Sequence, residues 1–343
     1  MSIVLGFLSY RFIEKIKFKK NIDRLSFLTS KPVHMVLILS VLSSYVFINE
    51  GNNGWLIRQN IPTQKTYTML SNLTTETTNW GMNAKGVQAF SECRFNTAHL
   101  TNDIASRLKE CVSKYGSGTL IIGDSHAIDL FGMVSSRFND DFIVGVTSSG
   151  CRVWDDKNLC PYDEVKDFIS SNKHVFNHVI YEQAGFYLLL DRHGDKGSRY
   201  MFDKLATNAR VEGIGVDSKH VNFTLDYLTA LSELVPVTWF GSRVEPHFNY
   251  KQILSNTCAH DFELRDGQKA VFTELDQYIK SKVDAVDTLQ FISQNKTLDY
   301  NFPDDFMTCE SLFWADGDHL SAVGEAYFAE RLPADFLINH FLK

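Results

Sequence analysis

Short apolar runs alternate with amphipathic stretches from about residue 117 of this 343-residue chain onward. Five runs read as strands: Thr119–Gly123 (TLIIG), Phe142–Val146 (FIVGV), His178–Glu182 (HVIYE), Val235–Phe240 (VPVTWF) and Thr288–Ile292 (TLQFI). Between and after them, residues 162–172, 218–234, 266–284 and 321–341 carry helical periodicity. Apolar strands separated by helices predict a parallel sheet covered on both faces. In such sheets functional sites form outside the carboxyl ends of the strands. Residues 50–116 read as an extension, irregular over 50–92, where Asn, Thr and Gly are frequent. Residues 117–343 read as the main domain.

Ahead of these lies a different pattern. Pro32–Asn49 (PVHMVLILSVLSSYVFIN) is an 18-residue run without Lys, Arg, Asp or Glu. As a helix it would reach roughly 27 Å, against a hydrocarbon core of about 30 Å. Charge sharpens the picture. The chain carries −7 overall, but residues 1–31 hold seven basic and two acidic residues and are +5, leaving −12 on the remainder. A basic flank on one side of an apolar run predicts a transmembrane helix over 32–49, with residues 14–31 cytoplasmic and everything after residue 50 outside the cytoplasm, while residues 1–13 read as the end of a longer helix. A signal peptide fits less well, because no A-x-A-like cleavage site follows the run. An acidic body excludes nucleic acid as a partner, since phosphate neutralisation needs Lys and Arg.

The six cysteines, Cys93, Cys111, Cys151, Cys160, Cys258 and Cys309, all lie on the outer side of the expected span. Disulfides persist there. No C-x-x-C occurs, which excludes zinc-ribbon and thioredoxin-like readings. Six cysteines allow fifteen pairings, and sequence neighbours suggest 93–111, 151–160 and 258–309.

Two stretches carry chemistry. Gly123-Asp124-Ser125-His126 follows the first strand. A serine at a strand-to-helix turn projects its hydroxyl above the sheet, with its own N–H placed for an oxyanion. Taken alone, the tetrapeptide reads equally as a turn with an N-cap. Asp316-Gly317-Asp318-His319-Leu320-Ser321 precedes the last helix. A serine nucleophile needs a base, and the base an orienting carboxylate. An early strand-end serine together with a late D-x-x-H predicts Ser125, His319 and Asp316 as a relay. Arg243, Glu245 and His247 follow the fourth strand, either where a substrate would dock at the sheet end or as a solvated loop. Asp129 is expected to face solvent. His126, Asp316, Asp318 and His319 can be drawn as a metal site, but the ligand set is scattered and the chemistry expected here uses no metal.

On GDSH at 123–126 and D-x-x-H at 316–319 the chain resembles the SGNH (GDSL) hydrolase superfamily. The resemblance implies a three-layer α/β/α, flavodoxin-like fold, with Ser125 as nucleophile, His319 as base and Asp316 as orienter. Thr147-Ser148-Ser149-Gly150-Cys151 looks like the block that supplies an oxyanion glycine, which makes Gly150 a second oxyanion donor beside Ser125. The third block, usually G-x-N-D, is replaced by Glu182-Gln183-Ala184-Gly185-Phe186. Three readings stay open there: Gln183 donates, backbone amides donate, or the hole is incomplete.

Ser9-Tyr10-Arg11-Phe12-Ile13-Glu14-Lys15 is similar to the motif that closes the acyltransferase-3 membrane domain in acyltransferase-3/SGNH fusions. The stretches at 148–151 and 309–321 look like those fusions as well. The rest of the acyltransferase-3 domain is missing from the chain. Met1 is then an internal start of a longer protein, or the chain is a partner that works separately. The resemblance implies an O-acetyltransferase acting on exported bacterial glycans such as lipopolysaccharide O-antigen. Its body would sit in the periplasm, anchored at the inner membrane. Acetyl-CoA would be the ultimate donor, reached through an acyltransferase-3 partner domain, and the body itself would bind no cofactor. An SGNH esterase or deacetylase and a non-catalytic glycan-binding domain are the alternatives.

Overall fold

A computed structural model of the chain describes residues 31–48, 56–73, 87–138, 142–155, 160–194, 211–247 and 264–336. The chain divides into two compact units, Met1–Gln64 and Lys65–Lys343. In the first, the apolar run forms helix α1 (Lys31–Ile48), with side chains such as Leu42, Phe47 and Ile48 exposed. The expected membrane span over 32–49 is not met: among the described residues no helix is long and apolar enough to cross a membrane. The first turn of α1 holds Lys31, Pro32 and His34, so the apolar stretch begins only at Met35. From there to Ile48 it reaches about 21 Å. The motif at 9–15 and Cys258 lie outside the described residues, and with Cys258 the expected 258–309 pairing.

Helix α2 (Ile61–Leu73) leads into the second unit. There strands β1 (Val87–Ala89) and β2 (Arg94–Thr97) precede helix α3 (Asn102–Tyr115). Next come β3 (Gly118–Gly123), α4 (Ser125–Arg137), β4 (Ile143–Thr147), α5 (Tyr162–Ser171) and β5 (Phe176–Glu182). A 3₁₀ turn at Gly185–Leu188 and the small antiparallel pair β6 (Leu189–Asp191) and β7 (Ile214–Val216) follow. The rest comprises α6 (Ser218–Ser232), β8 (Val237–Phe240), α7 (Gln268–Val283), β9 (Leu289–Ile292), α8 (Gln294–Leu298) and α9 (Ala322–Ala329).

The seven-stranded sheet has the order β1-β2-β4-β3-β5-β8-β9. Every pairing is parallel except β1 with β2. All five strands expected from the apolar runs are present, and their order within the sheet, second-first-third-fourth-fifth, is the flavodoxin-like one. Strands β1 and β2 extend the sheet upstream of residue 117.

Strand residues alternate between two cores. Leu120, Val144, Val179 and Trp239 face a layer built by α3, α5, α6 and α7. Ile121, Ile143, Ile180 and Phe240 face α4, α9 and the segment around Trp314. The result is three layers, helix on sheet on helix. Disulfides join Cys93 to Cys111 and Cys151 to Cys160, as the spacing suggests, with Cα–Cα distances of 5.6 and 5.5 Å. The first ties the loop before β2 to α3. The second closes the loop after β4, at the carboxyl edge of the sheet.

Candidate active site

The carboxyl edge of β3 turns sharply into α4 at Gly123. This residue has φ +149°, and a Cβ there would sit 1.8 Å from the Glu182 carbonyl oxygen of the neighbouring strand. Only glycine permits that approach. Asp124 then caps α4, accepting from the His126 amide at 2.9 Å and from the Ala184 amide at 3.0 Å. Burial raises its carboxyl to about 7, against the pull of those two amides. Ser125 opens the helix, so its N–H belongs to the first turn that intrahelical bonding leaves unpaired, at the positive end of the helix dipole.

Across the sheet edge, the segment before α9 folds back on itself. Ala315 N donates to the His319 carbonyl at 2.8 Å, and Ser321 N to the Phe313 carbonyl at 2.9 Å. This closed loop holds Asp316 under His319. Asp316 Oδ1 accepts from the amides of Asp318 and His319 at 3.0 and 2.9 Å. Its Oδ2 lies 2.8 Å from His319 Nδ1. On the other side of the ring, His319 Nε2 lies 2.8 Å from Ser125 Oγ. Residues 194 positions apart thus form a continuous serine–imidazole–carboxylate row. Its members are partly exposed, with 15% of the His319 and 38% of the Asp316 side chain open.

The electrostatics follow from that packing. Burial alone pushes the His319 imidazole down. The Asp316 hydrogen bond and the negative charge of Asp318, Asp129 and Asp316 outweigh it and raise the ring to about 9. Burial likewise works against ionised Asp316. The hydrogen bond and charge of His319, with the two amides, hold it well below the usual carboxylate range. Asp318 is pushed up, first by burial and also by Asp316, against the pull of His319.

The other expected site residues divide. Gly150 sits in the turn after β4, and β4 pairs with β3 through Gly123 and Thr147, so this turn flanks Ser125 at the same sheet edge. Gly150 adopts φ +71°, and a Cβ there would come within 3.7 Å of the Tyr187 hydroxyl. At the departed third block, Gln183 turns its carboxamide oxygen to the Tyr181 hydroxyl. The Ala184 amide serves Asp124, and those of Gly185 and Phe186 serve Glu245. The backbone amides of Ala184, Gly185 and Phe186 are therefore taken by carboxylates.

Arg243, Glu245, His247 and Asp129 do not form a solvated or sugar-facing surface. All four are buried. Arg243 contacts Asp129 and lies 3.8 Å from Glu182. His247 meets Glu245 at 3.0 Å and donates its amide to the Gly317 carbonyl at 2.7 Å. Burial lowers the His247 ring to about 4. Sequence reasoning took these charges for a loop because their partners lie up to 114 positions away. His126 is fully buried and meets Asp318 at 3.3 Å. His126, Asp318 and His319 bring one potential metal-ligating atom each within 4.8 Å of one another. Both His319 ring nitrogens are already paired, to Asp316 and Ser125, and His126 Nε2 to Asp318, so the grouping reads as a hydrogen-bonded one.

No family model and no curated protein matches the chain. Solved structures do. A protein from Streptococcus pneumoniae named for platelet activating factor is 14% identical, covers 70% of this chain and 92% of its own, and superposes with a TM-score of 0.37. A member of the lipolytic G-D-S-L family from Veillonella parvula is 12% identical, with coverages of 63% and 95% and a TM-score of 0.36. The C-terminal catalytic domain of Streptococcus pneumoniae peptidoglycan O-acetyltransferase A is 12% identical, with coverages of 63% and 90% and a TM-score of 0.32. Likenesses this distant assign no role to any residue.

Proposed function

We propose that this protein is a serine acyltransferase of the SGNH type that moves an acetyl group onto sugar hydroxyls of an exported bacterial glycan. The observation that carries it is the unbroken row from Ser125 Oγ through the His319 ring to Asp316, with 2.8 Å at each junction. In the first half-reaction His319 Nε2 takes the Ser125 proton while Oγ bonds to the acetyl carbon. The oxyanion so formed is met by the Ser125 and Gly150 amides. The donor's leaving oxygen or sulfur departs with the proton from His319, leaving an acetyl-serine ester. In the second half-reaction a sugar hydroxyl gives its proton to His319 and attacks the ester carbon. The bond to Oγ breaks, and Ser125 regains the proton.

Asp316 orients the ring and stabilises the imidazolium in both halves. The acetyl group comes ultimately from acetyl-CoA through an acyltransferase-3 membrane partner, in cis or in trans. Two disulfides suit work outside the cytoplasm, in the periplasm.

The test is Ser125→Ala in cells that acetylate the glycan, followed by mass spectrometry of the glycan. Loss of acetylation with unchanged protein level is the expected result. Unchanged acetylation would refute a catalytic role and leave a binding domain. Acetate release by the purified protein that sugar acceptors do not slow would make it an esterase.

A further inference from the structure

The helix that carries Ser125 and the loop that carries His319 are joined by two buried charged side chains outside the row itself. Asp129 lies one helical turn after Ser125 on α4, on the same face. Its Oδ2 accepts from the Leu320 amide at 2.9 Å. That same oxygen meets Nη2 of Arg243. Arg243 Nε donates to the Asp318 carbonyl at 3.2 Å. The residues immediately before and after His319 are therefore both gripped, one by each partner of a single ion pair. Neither Arg243 nor Asp129 exposes any side-chain surface.

The clamp is itself anchored. Arg243 follows β8, and its neighbours are fixed. Ser242 Oγ donates to the Gln183 carbonyl at 2.9 Å, Asn295 Nδ2 to the Ser242 carbonyl at 2.8 Å, and Val244 N to Asn295 Oδ1 at 2.7 Å. On its far side the guanidinium faces Glu182 at 3.8 Å and lies 5.8 Å from the Trp314 ring centre. A buried ion pair contributes little net stability compared with apolar packing of the same volume. What this one supplies is register, because it sets the distance from α4 to the loop at the two backbone groups that flank the imidazole.

We infer that Arg243 and Asp129 are positioning residues for the transfer reaction, holding His319 Nε2 within hydrogen-bond reach of Ser125. The inference rests on the reading of Ser125 and His319 as nucleophile and base. A displacement of about 1 Å in such a row costs on the order of 10²-fold in rate. Arg243→Lys keeps the charge but cannot reach Asp129 and the Asp318 carbonyl together. Asp129→Asn keeps the shape and removes the charge that holds Arg243.

The experiment follows p-nitrophenyl acetate turnover by the full chain, above the buffer blank. Each variant is expected to lower kcat about 10²-fold with KM little changed. In a His319→Ala background neither is expected to lower the residual rate further, because the residue they act through is gone. An unchanged kcat, or an equal loss with and without His319, would overturn the inference while Ser125→Ala still abolished turnover. Full turnover in both Ser125→Ala and His319→Ala would instead remove the functional reading, and the inference with it. If Arg243→Lys does not fold, the isosteric Asp129→Asn makes the same comparison.

Discussion

His319 is raised to about 9 by its carboxylate neighbours, and a base must be neutral to accept a proton. kcat/KM of the free protein should therefore climb through the alkaline range and level off only above about pH 9. The groups responsible are Asp316, Asp318 and Asp129, against burial. Asp316→Asn removes the first of these and the ring's orienting acceptor together. It should shift the rising limb toward lower pH and lower the plateau by about 10²–10⁴-fold. A pH–rate profile of both proteins checks it; a limb near pH 6.5 in the wild type would mean that the carboxylates do not act on the ring. Stability moves in the opposite sense. The folded pKa of the imidazole lies above its unfolded value of 6.5, so the contribution of the His319 ring is complete below pH 6.5 and lost as pH rises through about 9.

At this scale the three residues that the structure joins in one row, Ser125, His319 and Asp316, were legible in the sequence, because a serine at a strand end and D-x-x-H before a helix are local patterns. The clamp was not. Arg243, Glu245, His247 and Asp129 have the composition of a wet surface, and only the tertiary fold brings Asp129, Glu182 and Asp318 around one guanidinium.

At the scale of elements, four of the five strands that the apolar runs predicted, β3, β4, β5 and β8, are buried almost throughout, where packing admits little but apolar side chains, while β9 at the sheet edge is partly exposed. Strand β2 escaped for the opposite reason. Its sequence is RFNT, and the carboxamide oxygen of its buried Asn96 accepts from the Thr147 hydroxyl at 2.9 Å, a partner 51 positions away. Polar residues that find such partners leave no periodic trace. The turn between β3 and α4 depends on another long-range bond. Asp124 serves two amides, one in its own helix and one 60 positions on at Ala184, beside β5. Asp124→Ala strands both, each inside the protein. The expected cost is about 2–4 kcal/mol in urea unfolding. A cost below about 0.5 kcal/mol would show that Asp124 does not couple the two elements.

The whole molecule joins an acidic domain to a helix whose apolar side chains stand exposed. Two disulfides brace that domain, one at each end of the parallel strands. Cys93–Cys111 fixes α3 to the loop before β2, and Cys151–Cys160 closes the loop that begins one residue after Gly150. Their loops span 18 and 9 residues, for which loop-closure entropy gives about 3 kcal/mol each. For a domain whose total stability is about 5–15 kcal/mol, losing both is a large fraction. Reduction should therefore lower the unfolding free energy by about 6 kcal/mol when urea melts are run with and without dithiothreitol.

The second bridge also bears on the site. With Cys151 released, the Gly150 turn is held by the Cys151 amide on the Ser148 carbonyl, at 3.0 Å, and by the Tyr162 hydroxyl on the Cys151 carbonyl. A Cys151→Ser/Cys160→Ser protein should then lose more in kcat than in KM, because the oxyanion contact proposed for the Gly150 amide acts on the transition state and not on the bound ester. Equal kcat in the two proteins, measured where both are folded, would separate the bridge from the chemistry and leave it a brace alone.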